Sequence, residues 1–393
     1  IQDEMGETYD REYGRMSAML GLQLPIRPGG VQTFTMYPYP SPPVEIIANS
    51  TYGTPIGVMG DGTQIWKITH NGVDTHTVHV HLFNAQLINR VAWDNAVRVP
   101  DANELGWKET FRVNPLQDTI IALRPTAPTQ PFEVPNSKRL INPTMPEGAD
   151  LANSTQAEAL GFQPVAFDPT GEPIDIKNHM VNFGWEHVWH CHLLAHEEMD
   201  MMHSLCFVVA PVAPSSLTAI QSPTNVTLNW VDNSISETGF IIQRAENANF
   251  TANLTNITVG ENVVVYVDTT AAPGTTYYYR VQAINVVGDT FDYTDPNLNE
   301  GASFPTKIAS SAWSNSAISG VTPDKIGVLR NGAWYLDYNG NRVWEPASGD
   351  VSFWFGTSGD LPVAGDWNAD GKDEIGVLRN GAWYLDYNGN RVW

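Results

Sequence analysis

Between Val44 and Val113 the apolar residues fall in short runs rich in Val, Ile, Thr and aromatics, broken by Gly, Asn and Asp turns. Such text predicts strands and an all-β domain. Gln64 to Thr69 and Thr77 to Phe83 are examples, with Thr119 to Leu123 just beyond. Residues 1 to 30 carry Asp3, Glu4, Glu7, Asp10 and Glu12 with no clean period, and read as an acidic loop with one helical turn near Met16 to Gly21. Residues 125 to 180 are Pro-rich and irregular, which predicts a long crossing loop, and Phe183 to Val209 returns to strand-like text. Asn225 to Val231, Gly239 to Arg244 and Pro273 to Asn285 then alternate as strands with turns between them, the pattern of a β-sandwich over residues 212 to 322.

The last seventy residues repeat, because Ile326 to Trp344 recurs identically as Ile375 to Trp393, forty-nine positions later. A period of this size predicts blades or a solenoid, expected over residues 323 to 393. One such unit cannot bury its own faces, so further copies are expected beyond Trp393. Ile1 is not an initiator Met and no signal peptide precedes it, so the chain reads as an internal fragment of something longer. Before the second copy, Asp366, Asn368 and Asp370 stand at positions one, three and five of a loop, with Gly371 at six and Glu374 at nine. Those oxygens suit a hard cation such as Ca²⁺. The first copy has Ala317, Ser319, Val321 and Lys325 instead and is expected to lack the ion. The loop resembles the calcium-loop repeats of integrin-like β-propellers.

Composition narrows the picture. At 393 residues, with 43 acidic against 21 basic side chains and a formal charge of −22, the chain allows two or three domains and disfavours nucleic acid or anionic membrane as partners. Nothing approaches a transmembrane run. Two cysteines, Cys191 and Cys206, are too few for a disulfide scaffold. Cys206, inside the apolar Leu205 to Val209 run, reads as a small buried hydrophobe. All ten histidines lie between His70 and His203, which places any metal chemistry in the first 211 residues.

That chemistry centres on Val188 to Met202, VWHCHLLAHEEMDMM. In an extended strand His190 and His192 project to one side and Cys191 to the other, so one strand can serve two metal centres. His196 and Met201 can return to the Cys191 side, giving the His, Cys and weak axial Met set that suits copper. That set lacks one imidazole. Upstream, His79 and His81 share a strand face, while His76 at the strand's start can turn to a different metal. His70, His179, His187 and His203 have no ligand spacing and read as satisfied or solvent-facing.

With H-x-x-H-x-H followed by H-C-H-x-x-x-H-x-x-x-x-M, residues 1 to 211 resemble the C-terminal cupredoxin domain of a multicopper oxidase of the bacterial laccase and bilirubin-oxidase branch. Gly106 to Thr110 and Val188-Trp189 support this, and residues 212 to 322 resemble a fibronectin type III domain with Trp230 in its core and Tyr277 as corner tyrosine. The expected architecture is therefore a cupredoxin Greek-key β-barrel, a fibronectin type III sandwich and partial propeller-type repeats. The resemblance implies that His76, Cys191, His196 and Met201 hold type 1 copper, His79 type 2 copper, and His81, His190 and His192 type 3 copper. It implies one-electron oxidation of a phenolic, bilirubin-like or low-valent metal substrate, coupled to reduction of O₂ to water, with Glu197 assisting proton delivery.

Two departures stand out. Thr77 replaces the family's usual Pro, which puts the rigidity of the turn aiming His76 in question. The family's trinuclear cluster also uses eight histidines, and this chain offers four, so the others must come from a missing N-terminal cupredoxin domain or another subunit. Copper nitrite reductase is a competing reading, disfavoured by the symmetrical His190 and His192 pair. A surface protein that carries electrons or copper, or mediates attachment without oxidase activity, is another. Six Asn-x-Ser/Thr sequons, at Asn49, Asn153, Asn225, Asn249, Asn253 and Asn256, together with the tail and sandwich suggest an extracellular or cell-surface location.

Overall fold

The computed structural model describes residues 8–10, 15–17, 20–23, 34–36, 39–47, 55–125, 128–161, 166–169, 171–222, 224–272, 275–293, 304–319, 327–337, 344–365, 367 and 373–391. The fold is all-β. The described α-helices are short, Ser154–Ala159 and Leu194–Glu197. None of the described helices is long and apolar enough to cross a membrane. The chain forms two compact units: Ile1–Thr218, Asn229–Tyr266 and Tyr278–Ala317 belong to the first, and Ala219–Leu228, Val267–Tyr277 and Ile318–Trp393 to the second.

Two five-stranded sheets organise the early part of the first unit. One runs in the order Val97–Arg98, Asn84–Ala92, Gln117–Arg124, Gln64–His70, Pro55–Val58, and the other Thr110–Val113, His76–Val80, Trp185–Cys191, Met202–Phe207, Glu45–Ile47. Both turn alternate side chains into one core. Trp66, Leu87, Ile121 and Leu123 enter it from the first sheet, and Val78, Val80, Phe111, Trp189, Cys191 and Leu205 from the second. Trp66 and Trp189 meet edge to face with centroids 5.8 Å apart, the arrangement that ring quadrupoles favour. The expected barrel is thus a two-sheet sandwich: among the described residues no strand of one sheet pairs with a strand of the other. Only Asn114 to Leu116 join Thr110–Val113 to Gln117–Arg124, and Leu116 takes a φ of 55° there. A turn that tight carries the chain from one sheet to the other without a shared ladder.

Met202–Phe207 is covered on both faces, which explains its unbroken apolar text. Leu205 and Phe207 enter the core just described. Cys206 and Val208 enter a second core with Ile46, Ile141, Ile174, Phe183 and Val287. That second core lies against a larger sheet in the order Lys138–Leu140, Met180–Asn182, Tyr278–Gly288, Gly239–Ala245, Thr255–Gly260, with Thr306–Ser310 also paired to Tyr278–Gly288. Strands from before and after residue 211 therefore share one sheet, joined at Asn182 opposite Gly288. Within that sheet's region Trp230 is buried, its ring 5.6 Å from Phe240. In the second unit the Tyr277 hydroxyl accepts the Ala272 N–H at 3.3 Å, the backward bond of a tyrosine corner.

Two local expectations need correction. Among the described residues no helical turn lies near Met16: Arg15–Ser17 pairs antiparallel with Thr8–Asp10, and Gly21–Gln23 with Phe34–Met36. Without a helical period to bury, such a segment satisfies its backbone more readily as hairpins. The 125 to 180 stretch is also less irregular than expected. It contains Lys138–Leu140, Asp150–Ala152 and the Ser154–Ala159 helix, whose Ser154 hydroxyl donates to the Ile174 carbonyl at 2.9 Å and accepts the Ala166 N–H at 3.1 Å.

In the second unit, the two identical stretches form matching hairpins, Gly327–Arg330 with Ala333–Leu336 and Glu374–Arg379 with Ala382–Leu385. Each turns at an Asn-Gly pair with positive φ at both residues, 53° and 86° in the first copy and 47° and 82° in the second. This is the mirror-image turn whose twist matches paired strands. Val351–Trp354 completes one three-stranded sheet and Leu361–Gly365 the other.

Candidate metal centre

The two histidine motifs lie on adjacent antiparallel strands. His190 stands opposite His79 and Cys191 opposite Val78. Because side chains alternate along a strand, this register sends Cys191 into the core with Val78. It leaves His190 and His79 together on the other face. His76 falls on the Val78 face, three positions from His79, and is buried. After Cys191 the single helical turn Leu194–Glu197 reverses the chain. The His196 and Glu197 N–H groups both donate to the Leu193 carbonyl at 2.9 Å. Met201 donates to the His196 carbonyl at 3.0 Å and accepts the Cys191 N–H at 3.1 Å. Asp200, with a φ of 62°, makes the tight return possible.

Those constraints bring three donors together. His76 Nδ1 and His196 Nδ1 are 3.1 Å apart, and the Cys191 Sγ lies 3.4 Å from the first and 3.5 Å from the second. All three residues are buried. A circle through those atoms has a radius of about 1.9 Å, close to first-row metal–nitrogen distances of about 2.0 Å and somewhat short of metal–thiolate ones. Two imidazoles and a thiolate in a plane, with buried Met201 tied by its backbone to both Cys191 and His196, form the donor set that suits copper. Burial, then the His70 and His196 rings, holds His76 down to about 3, so its ring is neutral and its lone pair available at neutral pH. Burial pushes the Cys191 thiol up, so a metal there must displace a proton.

On the opposite face His79, His81 and His190 form a second group whose ligand atoms lie within 4.8 Å of one another. His81 Nε2 and His190 Nε2 are 3.1 Å apart. His192 joins at ring-centroid distances of 5.6 Å from His79 and 5.5 Å from His190. His79 Nδ1 sits 2.8 Å from the Glu109 carbonyl oxygen and 2.9 Å from Thr110 Oγ1. A carbonyl only accepts, so Nδ1 carries the proton and Nε2 keeps its lone pair. The Glu109 carbonyl was not singled out in the sequence, because a main-chain acceptor leaves no side-chain signature. Burial, then His79 and His190, lowers the affinity of His81 for a proton. Glu197 places a buried Oε2 3.7 Å from His190 Nδ1, with no hydrogen-bond partner.

Thr77, where a Pro was expected, is clamped from two sides. It stands opposite Arg112 in the ladder, and its carbonyl accepts the His192 N–H at 2.6 Å. The aim of His76 therefore rests on strand pairing. The other histidines lie outside both groups. His70 accepts the Gly72 N–H and bonds the Asp74 carbonyl, its ring 4.6 Å from that of His76. His179 bonds Asp289 and the Lys177 carbonyl, and His203 lies 2.6 Å from Glu45. His187 is half-buried, and burial lowers its proton affinity. Of the calcium-loop residues, Asp366, Asn368 and Asp370 lie outside the described residues, while Glu374 is buried and accepts the Trp367 N–H at 3.1 Å.

No protein family matches the sequence, and no curated protein does. Solved structures similar to parts of the chain include a multicopper oxidase from Campylobacter jejuni, described as a metallo-oxidase, at 16% identity over 37% of this chain and 18% of that one, with a TM-score of 0.20. A laccase from Pediococcus acidilactici shows 22% identity over 38% of this chain and 20% of that one, at 0.19. An Fn3-like protein from Clostridium thermocellum shows 21% over 28% of this chain and 93% of that one, at 0.19. The chain spans about a fifth of the length of those two oxidases. Scores this low leave the functional assignment to the geometry of the site.

Proposed function

We propose that this chain is the type 1 copper region of a multicopper-oxidase-like oxidoreductase, and that it also supplies one half of an oxygen-reducing cluster. The observation that carries the reading is the buried His76, Cys191 and His196 triangle on one face of a strand pair, with His79, His81, His190 and His192 on the other. Copper held there would accept electrons singly from a reducing substrate, and the imidazole cluster would hold the copper that passes them to O₂. The protein's own contribution is positional. The ladder places donors for both groups on consecutive residues, so the Cys191 thiolate and the His190 ring are joined by one peptide unit. The Glu109 carbonyl fixes the His79 tautomer, and the backbone of Met201 is tied to both Cys191 and His196.

Glu197 stands where it can hold a proton beside His190. The reducing substrate is proposed as a phenol, a bilirubin-like compound or a low-valent metal ion, and the remaining imidazoles of the cluster as those of another domain or subunit. Exposed sequons at Asn249, Asn253 and Asn256 support a cell-surface or extracellular setting.

Copper reconstitution followed by absorption and electron paramagnetic resonance spectroscopy tests the reading. An intense blue thiolate-to-copper band is expected, lost in Cys191→Ser. A band that survives this substitution, or none in the unsubstituted chain, refutes the assignment. Blue colour without O₂ consumption, even when the upstream partner is supplied, would reduce the role to electron or copper carriage.

A further inference from the structure

The N–H of Thr77 is set free by the parity of the ladder around it. Along His76–Val80 the Val80 N–H donates to the Glu109 carbonyl at 3.0 Å, and in an antiparallel pair such bonded partners recur at every second residue. Val80, Val78 and His76 therefore turn their main-chain groups toward Thr110–Val113, and Thr77 and His79 turn theirs toward the strand that carries Cys191. The Thr77 carbonyl does so, accepting the His192 N–H at 2.6 Å. Its N–H points to the same side, but the strand ends at Cys191 and the chain turns away into Leu194–Glu197. What that N–H meets is the Cys191 sulfur. Burial raises the Cys191 thiol, and the N–H groups of Leu193 and Thr77 bond its sulfur and act against the rise. Cys191 is fully buried, so bulk water does not compete with those two donors.

We propose that the Thr77 N–H sets the reduction potential of the copper held by His76, Cys191 and His196, raising it by sharing the negative charge of the Cys191 thiolate. The proposal rests on the reading of that triangle as a copper site. A thiolate whose charge is shared with N–H donors gives less of it to the metal, and oxidised copper depends on that charge more than reduced copper does. Hydrogen bonding around the sulfur is therefore a lever on the potential. Leu193 supplies one donor from the turn after Cys191, and Thr77 supplies a second from the neighbouring strand. A Pro, the residue expected at 77, has no N–H to give. The exchange of Pro for Thr thus alters the driving force of the site, and lets it draw electrons from weaker reductants than the same ligands would with a single donor.

Redox titration of the copper-loaded chain, followed at the blue thiolate-to-copper band, tests the proposal with Thr77→Pro set against Thr77→Ala. Thr77→Pro removes the donor without removing a ladder bond, and Thr77→Ala keeps the donor and removes only the side chain. In Thr77→Pro the copper equilibrium should move about tenfold toward the oxidised form, which for a one-electron couple is a potential about 59 mV lower. Thr77→Ala should match the unsubstituted chain. A potential unchanged or raised in Thr77→Pro overturns the proposal, as does an equal fall in Thr77→Ala, which would make the side chain its source. Should Thr77→Pro fail to hold copper, nuclear magnetic resonance of the unsubstituted chain loaded with cadmium decides. A scalar coupling between the metal and the Thr77 amide proton, carried through the N–H···S bond, is expected, and its absence overturns the proposal. A blue band with an unshifted potential refutes this inference alone, whereas no blue band in the unsubstituted chain refutes the copper reading beneath it.

Discussion

The strand that carries His190 and Cys191 is anchored at its other end by Glu186, and removing the partner of that carboxylate should loosen the strand more than removing the carboxylate itself. Glu186 accepts Arg139 Nη2 at 2.6 Å and Nε at 3.0 Å, the Ser137 hydroxyl at 2.6 Å, the Ser204 hydroxyl at 3.1 Å and the Tyr39 hydroxyl at 3.4 Å. Both members of the ion pair are largely buried. Arg139→Met strips out the charged partner and leaves a carboxylate held by hydroxyls alone. Breaking a buried pair in this way costs about 3–5 kcal/mol, and the three hydroxyls place this case near the lower end. Glu186→Gln leaves the guanidinium better served. Arg139 Nη1 also donates to the Leu140 and Ile141 carbonyls at 2.9 and 2.7 Å, and the cation lies 3.8 Å from the Phe183 ring centroid. Its cost should be about 1–2 kcal/mol, that of weakened charge-assisted hydrogen bonds.

Hydrogen exchange of peptides spanning Trp185–Cys191 at neutral pH reads the difference. Protection should fall roughly a hundredfold in Arg139→Met, since about 1.4 kcal/mol is tenfold, and by about five- to thirtyfold in Glu186→Gln. Acid should imitate the pair's loss. Burial alone would raise the Glu186 carboxyl, yet Arg139, Ser137 and Ser204 together hold it below its usual 4.5. A depressed carboxyl contributes stability above the unfolded value and loses it as pH falls through the folded one. Protection should therefore decline below about pH 4.5. Equal losses in the two variants, or a larger one in Glu186→Gln, would refute the reasoning.

Two further outcomes are expected. Burial would lower the His179 ring's proton affinity, but its bond to Asp289 outweighs this and raises it above 6.5. The contact's contribution is complete below about pH 6.5 and lost as pH rises through the folded value, so protection near Asp289, taken relative to intrinsic base-catalysed exchange, should fall from pH 6 to 9, and His179→Gln should remove that fall; a fall unchanged in the variant would show that His179 is not its source. At equivalent turn positions, Gly381→Ala adds a Cβ into open space at a φ of 82°, whereas Gly332→Ala drives one to 2.5 Å from the Gly356 carbonyl oxygen at a φ of 86°. The first should cost about 1–2 kcal/mol from backbone strain alone and the second about 1–3 kcal/mol more for the clash, read as loss of hairpin protection; equal costs would mean that the Gly332 and Gly356 backbones do not press on each other.

Much of the site was legible because metal donors keep strict spacing on strands. His190 and Cys191 must point apart if the stretch is extended, and the apolar alternation around Gln64–His70 and His76–Val80 indicated that it is. Strands of three residues were not legible. Lys138–Leu140 and Met180–Asn182 are too short to show a period, and partners distant in sequence hold them. The sharing of one sheet across residue 211 was hidden for the same reason. The barrel failed to close because a three-residue turn, which no hydrophobic pattern reveals, decides which sheet the chain joins next. Trp334 and Trp383 mark the limit of local reading most plainly, since identical text yields opposite burial when the neighbour differs.

The pairing of His79 with His190 and of Val78 with Cys191 makes the two donor groups hostages to a single alignment. A slip of one residue in either strand turns every side chain to the other face. A deletion within Trp185–Cys191 would therefore send the thiol outward and an imidazole into the core in one stroke, erasing both groups together. Substitutions can tune either group separately, but insertions and deletions in these strands act on both or neither. Length variation is tolerable only before His76, where the chain leaves the ladder, because the return from Cys191 to Met201 carries His196 into the triangle; that preceding turn is where natural or engineered changes of substrate should be sought.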